Sequence, residues 1–265
     1  MSNVKLSIIT CVYNAGETLE KTIKSVVSQT YSDYEYIIID GGSTDGSLEL
    51  LKKFDEEIDY WVSERDQGIY EAMNKGARKA SGDYLFFLNA DDWFADETVV
   101  EEVFTKVCDK KPDLIYGNSI RVYPGFQAVI SRKFTRSNLR RGIIPSHQAS
   151  FISKESFWMV DGYNDAYQSA GDFDLYCRLE KKNISSVFID LVISYVLSGG
   201  KSSYKDLSHT EVYSIIKKHY GFVPGFLFWL KNIFLGQNIK KILIYLGLKG
   251  VYKRLLKMEM RITII

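Results

Sequence analysis

LSIITCVYNAGETLEKTIKSVVSQTYSDYEYIIID, residues 6–40, is the stretch on which the fold turns. Leu6 to Val12 is a short apolar run rich in β-branched residues, and Tyr36 to Asp40 (Y-I-I-I-D) has the same character. Runs of this length and composition read as strands buried on both faces, as in a parallel sheet. Between them Leu19, Ile23, Val26 and Val27 recur at i, i+4, i+7 and i+8, the apolar stripe of a helix packed on that sheet. Strand, helix and strand make a βαβ unit.

Downstream the alternation continues. A strand is expected near Tyr60 to Ser63, a helix carrying Ile69, Met73, Ala77 and Ala80 on one face, and a strand at Tyr84 to Leu88. A helix with Val99, Val100, Val103, Phe104 and Val107 follows, then a strand at Leu114 to Tyr116. This pattern predicts an open α/β half over residues 1–118. After Gly117 it breaks into short strand-like pieces, a basic stretch from Arg132 to Arg141, an A-S-F-I-S strand, and a helix beginning near Asp172. Ser186 to Asp190 and Val192 to Leu197 read as two further strands. No Pro/Gly/Ser-rich linker intervenes, so residues 119–220 are expected to form a second half continuous with the first. From about His209 the chain reads as helical, and its composition changes again beyond Gly221.

The 265 residues are 46% hydrophobic and 25% charged, which suits a globular chain with a substantial core. A formal net charge of +1 supplies no global field for nucleic acid or acidic polymers. Cys11, Cys108 and Cys177 are widely spaced and odd in number, which fits core thiols better than a disulfide framework or metal cluster. Met1 to Lys5 is short and polar and runs straight into a strand, without a secretory leader's basic and apolar regions, so a cytoplasmic location is expected.

Ligands of open α/β sheets bind beyond the carboxyl ends of the strands. Here those ends carry V-Y-N-A-G-E, D-G-G-S-T-D-G-S and N-A-D-D. Asp40 stands at a strand end before two glycines that permit close backbone approach, followed by Ser43 and Asp45; this serves a base or ribose, and reads equally as an Asx-capped turn. Asp91 and Asp92 are adjacent carboxylates that repel unless a cation compensates them. They can supply the protein's share of an Mg²⁺ or Mn²⁺ shell that substrate phosphates complete, or mark the acid-rich start of a helix. Neither G-x-G-x-x-G nor G-x-x-x-x-G-K-[ST] occurs, which argues against a dinucleotide oxidoreductase or a P-loop enzyme.

Taken together, five segments resemble the inverting glycosyltransferases of family 2, which have the GT-A fold. They are S-I-I-T-C-V-Y-N (Ser7 to Asn14), I-I-I-D-G-G-S-T-D-G-S (Ile37 to Ser47), D-Q-G-I-Y-E-A-M-N-K-G (Asp66 to Gly76), F-L-N-A-D-D (Phe87 to Asp92) and A-G-D-F-D-L-Y-C-R-L (Ala170 to Leu179). The match runs in order from about Lys5 to Gly200 and is most similar to the bacterial branch that builds O-antigen and related surface polysaccharides. The resemblance implies a Rossmann-like nucleotide-sugar-binding mixed sheet flanked by helices. It also implies transfer from a nucleoside diphosphate sugar, a UDP-sugar being expected, to an acceptor hydroxyl on a lipid-linked saccharide.

Carried over by position, the resemblance places Asp40 on the nucleobase. It places the backbone of Thr10, Val12 and Tyr13, with Asn14 and Glu17, around base and ribose. Gly42, Ser43, Asp66, Asn89, Ala90 and His147 join the donor site, and Lys75 lies near the phosphates. Asp91 matches the metal-binding acid of the D-x-D type motif, with Asp92 in support; the first acid is Asn89 here. Asp172 matches the catalytic base of the E-D type motif, whose preceding acid is replaced by Gly171. An ordinary Asp pKa of about 3.9 leaves such a base ionised at neutral pH. Asp172 also reads as a helix N-cap, Asp174 as an i, i+4 partner of Arg178, and His147 as a packed, hydrogen-bonded histidine. Ser198, Gly199 and Gly200 form a loop suited to close over donor. A sugar-nucleotide pyrophosphorylase would need a basic triphosphate-binding loop near the N-terminus, which is absent; a non-catalytic nucleotide-sugar binding module is the other alternative.

The tail, residues 221–265, carries six lysines and two arginines against one acid, Glu259, a net +7. Phe222, Phe226, Phe228, Trp229, Phe234 and an I-L-I-Y-L-G-L run are interleaved with these charges. No apolar run reaches the roughly 18 residues that span a bilayer. This composition suits helices lying in a membrane interface, placing the enzyme on the cytoplasmic face of the inner membrane, or an amphipathic helix packed on the catalytic domain.

Overall fold

The computed structural model describes residues 4–107, 110–198, 205–231 and 263–264. At its centre, β1 (Leu6–Val12) and β2 (Tyr34–Asp40) pair in parallel, with Leu6 opposite Tyr34 and Val12 opposite Asp40, so both strands end at one rim. α1 (Leu19–Val27) crosses between them and buries Leu19, Ile23 and Val26 completely. Burying each such side chain is worth roughly 1.5 to 3 kcal/mol, which offsets the poor intrinsic stability of a nine-residue helix.

The chain continues through α2 (Ser47–Lys53), β3 (Tyr60–Ser63), α3 (Ile69–Lys79), β4 (Tyr84–Phe87), β5 (Asp92–Phe94) and α4 (Val99–Val107). Next come β6 (Leu114–Tyr123), β7 (Phe126–Ile130), α5 (Arg136–Leu139), β8 (Ser150–Ser153), α6 (Lys154–Met159), α7 (Gly171–Lys181) and β9 (Ser186–Leu197). α8 (Lys205–Tyr220), α9 (Phe222–Lys231) and the two-residue β10 (Thr263–Ile264) complete the described elements. The main path of the ten-stranded sheet is β10-β7-β6-β8-β4-β1-β2-β3, with β9 pairing β6 and β5. β3, β2, β1 and β4 are mutually parallel, whereas β8 runs antiparallel between β4 and β6.

One face of the sheet is covered by α1, α2 and α4, the other by α3, α6, α7 and α8. α3 lies so close to β1 that a Cβ on Gly76 would stand 2.4 Å from Ile9 Cγ2. β6 runs unbroken across residues 118 and 119, so the two expected halves share one sheet.

The two strands expected at 186–190 and 192–197 are one, β9, with a register shift against β6 around Asn118. Asn118 Nδ2 donates to Asp190 Oδ1 at 2.9 Å, which ties the polar residue at the bulge without ending the strand. Gly117 permits the close approach, since a Cβ there would meet the Leu191 carbonyl oxygen at 2.7 Å.

In the tail, α9 turns back on α8 at Gly221, whose φ is +93°. Phe228 packs against Gly142, while Phe222, Val223, Phe226 and Leu227 are exposed. Among the described residues no helix is long and apolar enough to cross a membrane. The I-L-I-Y-L-G-L run, Phe234, Glu259 and every tail lysine or arginine except Lys231 lie outside the described residues, as do Cys108, Gly199 and Gly200. Cys177 is buried and Cys11 partly so; neither is in a disulfide. Burial pushes the Cys177 thiol up to about 12, as befits an inert core thiol.

Candidate active site

The parallel strands bring the loops after β1, β2, β3 and β4 to one rim. Two loops there are laced together through side chains. Asn14, in the left-handed region at φ 50°, accepts from Thr44 N–H at 2.9 Å and donates its own N–H to Ser43 Oγ at 2.8 Å. Asp45 takes the Gly16 N–H at 2.9 Å, and Tyr13 at the mouth is half exposed. Glu17 is exposed beside it. Thr10 and Val12 turn their side chains into the core, where Thr10 Oγ1 lies 3.1 Å from the Tyr36 hydroxyl; the Val12 carbonyl accepts from Gly41 N–H at 2.9 Å.

Asp40 is fully buried. Its carboxylate accepts from Gly42 N–H and Ser43 N–H at 3.0 Å each, from Ser63 Oγ at 2.6 Å and from Ser43 Oγ. Three of these donors converge on Oδ2 and only the Ser43 hydroxyl reaches Oδ1, which keeps one acceptor position. Asp40 thus shapes the loop on which the expected nucleobase contact stands. Gly42, at φ +83°, makes the turn that brings both N–H groups onto it.

A second carboxylate at this rim is that of Asp66, in the loop after β3. Its Oδ1 accepts from Gly68 N–H at 3.1 Å, and its Oδ2 lies 2.6 Å from where a Cβ on Gly41 would stand, next to the Tyr13 ring. Burial pushes Asp66 above the ordinary carboxylate value, against the pull of Gly68 and Lys75. Lys75 lies behind it, ion-paired to Glu64 at 3.1 Å and Glu71 at 3.5 Å. Burial lowers its ammonium, but the two glutamates outweigh that and hold it above its usual value.

The adjacent acids have separate fates. Asp92 opens β5 rather than a helix, is 1% exposed, and accepts from Gln148 Nε2 at 3.0 Å and Leu197 N–H at 3.1 Å. Burial and then the Asp91 charge push its carboxyl well above the ordinary range. It braces β5 against β9. Asp91 stays at the rim, raised by burial, with no side-chain hydrogen bond to another described residue. Ala90 is buried between Asn89 and Asp91.

Asn89, His147 and Asp172 form a chain across the two halves. His147 Nδ1 lies 3.3 Å from Asp172 Oδ2, and Nε2 lies 3.4 Å from Asn89 Nδ2. Since a carboxylate only accepts, Nδ1 carries the proton here; Nε2 then accepts from the amide. Asn89 Oδ1 is left buried without a partner among the described residues. Asp172 is the second residue of α7, not its N-cap, which is Ala170. The missing acid of the E-D pattern also has a cause: a Cβ on Gly171 would meet the Tyr70 ring at 2.8 Å.

Arg121 went unnoticed in the sequence, and Arg132 stood out there only as the start of a basic stretch. Arg121 acts on Asp92, and half-buried Arg132 is pushed down to about 10 by burial and by Arg121, with Asp172 opposing. Arg121 thus lies close enough to act on Asp92 and Arg132 close enough to feel Asp172, a proximity that only the tertiary structure reveals. Asp174, fully buried, pairs with Arg178 at 2.7 Å as the spacing suggested, and with His219 of α8 at 2.9 Å. Among the described residues no group of three or more His, Cys, Asp or Glu is arranged to hold a metal alone.

This geometry can be set beside known proteins. The family described as "Glycosyl transferase family 2" matches residues 7–167. A PGL/p-HBAD biosynthesis glycosyltransferase of Mycobacterium bovis (strain BCG / Pasteur 1173P2) is 30% identical over 209 residues, covering 77% of this chain and 81% of that one. Glycosyltransferase GlyA of Streptococcus pneumoniae is 33% identical over 117 residues, 43% of this chain and 16% of its own. Among solved structures, S. aureus TarS 1-349 in complex with UDP-GlcNAc aligns with a TM-score of 0.66 at 15% identity, covering 81% of this chain and 66% of that one. The mannosyltransferase PcManGT from Pyrobaculum calidifontis in complex with GDP-Man and Mn²⁺ aligns with a TM-score of 0.61 at 13% identity, covering 93% and 80%. The mixed sheet flanked by helices is the GT-A fold, and the chain is a glycosyltransferase that belongs to glycosyl transferase family 2.

Proposed function

We propose that this enzyme moves a sugar from a nucleoside diphosphate sugar, a UDP-sugar, to the hydroxyl of a lipid-linked saccharide by metal-dependent inverting displacement, in bacterial surface polysaccharide synthesis. The observation that carries this reading is the chain from Asn89 through His147 to Asp172, facing the open Asp91 carboxylate across the rim. Asp172 takes the proton of the acceptor hydroxyl as its oxygen attacks the anomeric carbon from the face opposite the diphosphate. The bond from that carbon to the diphosphate breaks, and its electron pair leaves on the phosphate oxygen. His147 keeps the Asp172 carboxylate oriented, and Asn89 fixes the ring.

An unpartnered amide oxygen and an open carboxylate two residues apart are hard oxygen donors of the kind Mg²⁺ and Mn²⁺ take. Held by Asp91, with Asn89 Oδ1 as a second oxygen, such an ion would neutralise charge on the departing diphosphate. Asp66 beside Tyr13 and Gly41 is suited to accept an N–H from the base, together with Asp40, to which the resemblance gives that role. Residues 1–220 are the catalytic unit in this reading. The tail, residues 221–265, holds the enzyme to the cytoplasmic face of the membrane through the exposed apolar face of α9 and the basic charge beyond it. Family membership sets aside the pyrophosphorylase and the non-catalytic binder.

The test is nucleoside diphosphate release across a panel of sugar nucleotides, with Mn²⁺ and with chelator, for the full chain and Asp91→Ala. Metal-dependent release that disappears in Asp91→Ala is expected. Release indifferent to chelator, or unchanged in the variant, overturns the metal assignment.

A further inference from the structure

The start of α7 is held from outside, by a residue 39 positions after Asp172. Residues 168–170 arrive at α7 without regular structure, and the N-cap Ala170 makes no side-chain cap bond. Their three consecutive N–H groups instead converge on one carboxylate of α8. Glu211 Oε1 accepts from Gln168 N–H at 2.8 Å, and Oε2 accepts from Ser169 N–H at 2.9 Å, Ala170 N–H at 2.9 Å and Ser169 Oγ at 3.0 Å. Successive backbone N–H groups closing on an anion form a nest, and charge-assisted bonds of this kind are roughly twice as strong as neutral ones. Among the described residues Glu211 has no ion-pair partner, so its charge is matched by this backbone.

Docking of α8 does not require that arrangement. Ile215 and Ile216 are fully buried, His219 reaches Asp174, and the Tyr220 hydroxyl donates to Glu180 at 3.2 Å. Glu211 lies two helical turns before His219, against the residues that lead into Gly171 and Asp172. From the opposite side the Tyr70 ring stands against Gly171. The backbone that carries Asp172 is thus clamped between α3 and α8.

We infer that Glu211 is a positioning residue for catalysis, making α8 part of the machinery that aims Asp172. This rests on the reading of Asp172 as the base. A misplacement of about 1 Å from a remote change can cost on the order of 100-fold in rate.

The experiment compares Glu211→Ala, Glu211→Gln, Asp172→Asn and the double variant Glu211→Ala/Asp172→Asn in the full chain, with the sugar nucleotide turned over fastest in the panel above. Glu211→Ala should lower kcat about 10- to 100-fold while donor KM stays within about twofold. Glu211→Gln should recover much of that, because one amide oxygen can still accept from Ser169 and Ala170. The double variant should be no slower than Asp172→Asn alone, since positioning is worthless without the base. Unchanged kcat in Glu211→Ala, or losses that multiply in the double variant, overturns the proposal. So does loss of amide-exchange protection along residues 212–220 in Glu211→Gln, which would make Glu211 a folding residue only. Full turnover in Asp172→Asn is a separate result: it removes the base assignment.

Discussion

Replacing Asp172 by asparagine removes the proposed base while keeping its shape, and the surroundings say how cleanly. Oδ1 accepts from Phe173 N–H at 2.8 Å and Oδ2 faces His147 Nδ1 at 3.3 Å. Each carboxylate oxygen has two acceptor positions, so one remains on each for an incoming hydroxyl, and the side chain is 21% exposed. Asparagine keeps a carbonyl for Phe173 and turns its amide nitrogen to His147. The imidazole then accepts at Nδ1 and donates at Nε2, and Asn89 turns its unpartnered oxygen to receive that proton. The chain reverses polarity without losing a bond, so fold and donor site persist, but an amide does not take up the proton. The expected loss is about 10²- to 10⁴-fold in kcat, or roughly 2.7 to 5.4 kcal/mol of transition-state stabilisation. Steady-state rates with donor and acceptor, and calorimetric donor binding, check it. A variant that turns over within about threefold of the parent, or that loses donor affinity while kcat holds, refutes the base role.

Two further outcomes are expected. Asp174 lies fully buried against Arg178 and His219; burial raises its carboxyl, but these partners outweigh that and hold it below its ordinary value. Asp174→Ala should cost about 3 to 5 kcal/mol, a fall in Tm on the order of 10 °C. A depressed carboxyl stabilises the fold above its unfolded pKa of about 3.9 and loses that effect as pH falls through the folded value. The gap between parent and variant in denaturant titrations should therefore be full at neutral pH and close in acid; a gap independent of pH contradicts the ion-pair account. For the tail, replacing Phe222, Val223, Phe226 and Leu227 with serine leaves Phe228 docked on Gly142 and β10 paired with β7. That variant should lose cosedimentation with phosphatidylglycerol vesicles at low salt while retaining donor turnover; equal sedimentation of variant and parent rejects the membrane face.

Much of this protein was legible in residues 6–40 and the segments that follow them. The strands of the first half and the helices between them follow from local periodicity, because a strand buried on both faces and a helix buried on one leave different spacings. The rim motifs were legible too, since strand ends and turn residues are local. What the sequence could not determine is which way a side chain at that rim turns. Asp40 ends one parallel strand and Asp91 follows another, yet one accepts four hydrogen bonds from its own loop and from Ser63 of β3, and the other has no side-chain hydrogen bond to another described residue. Adjacent Asp91 and Asp92 likewise diverge, because β5 pairs with β9, about a hundred residues later, and drags only Asp92 inside. His147 meets Asn89 and Asp172 from 58 and 25 residues away, and Glu211 meets residues 168–170 from 41 to 43 away. Such pairings depend on long-range register and helix docking, for which local propensity carries no signal; only the packed tertiary structure decides them.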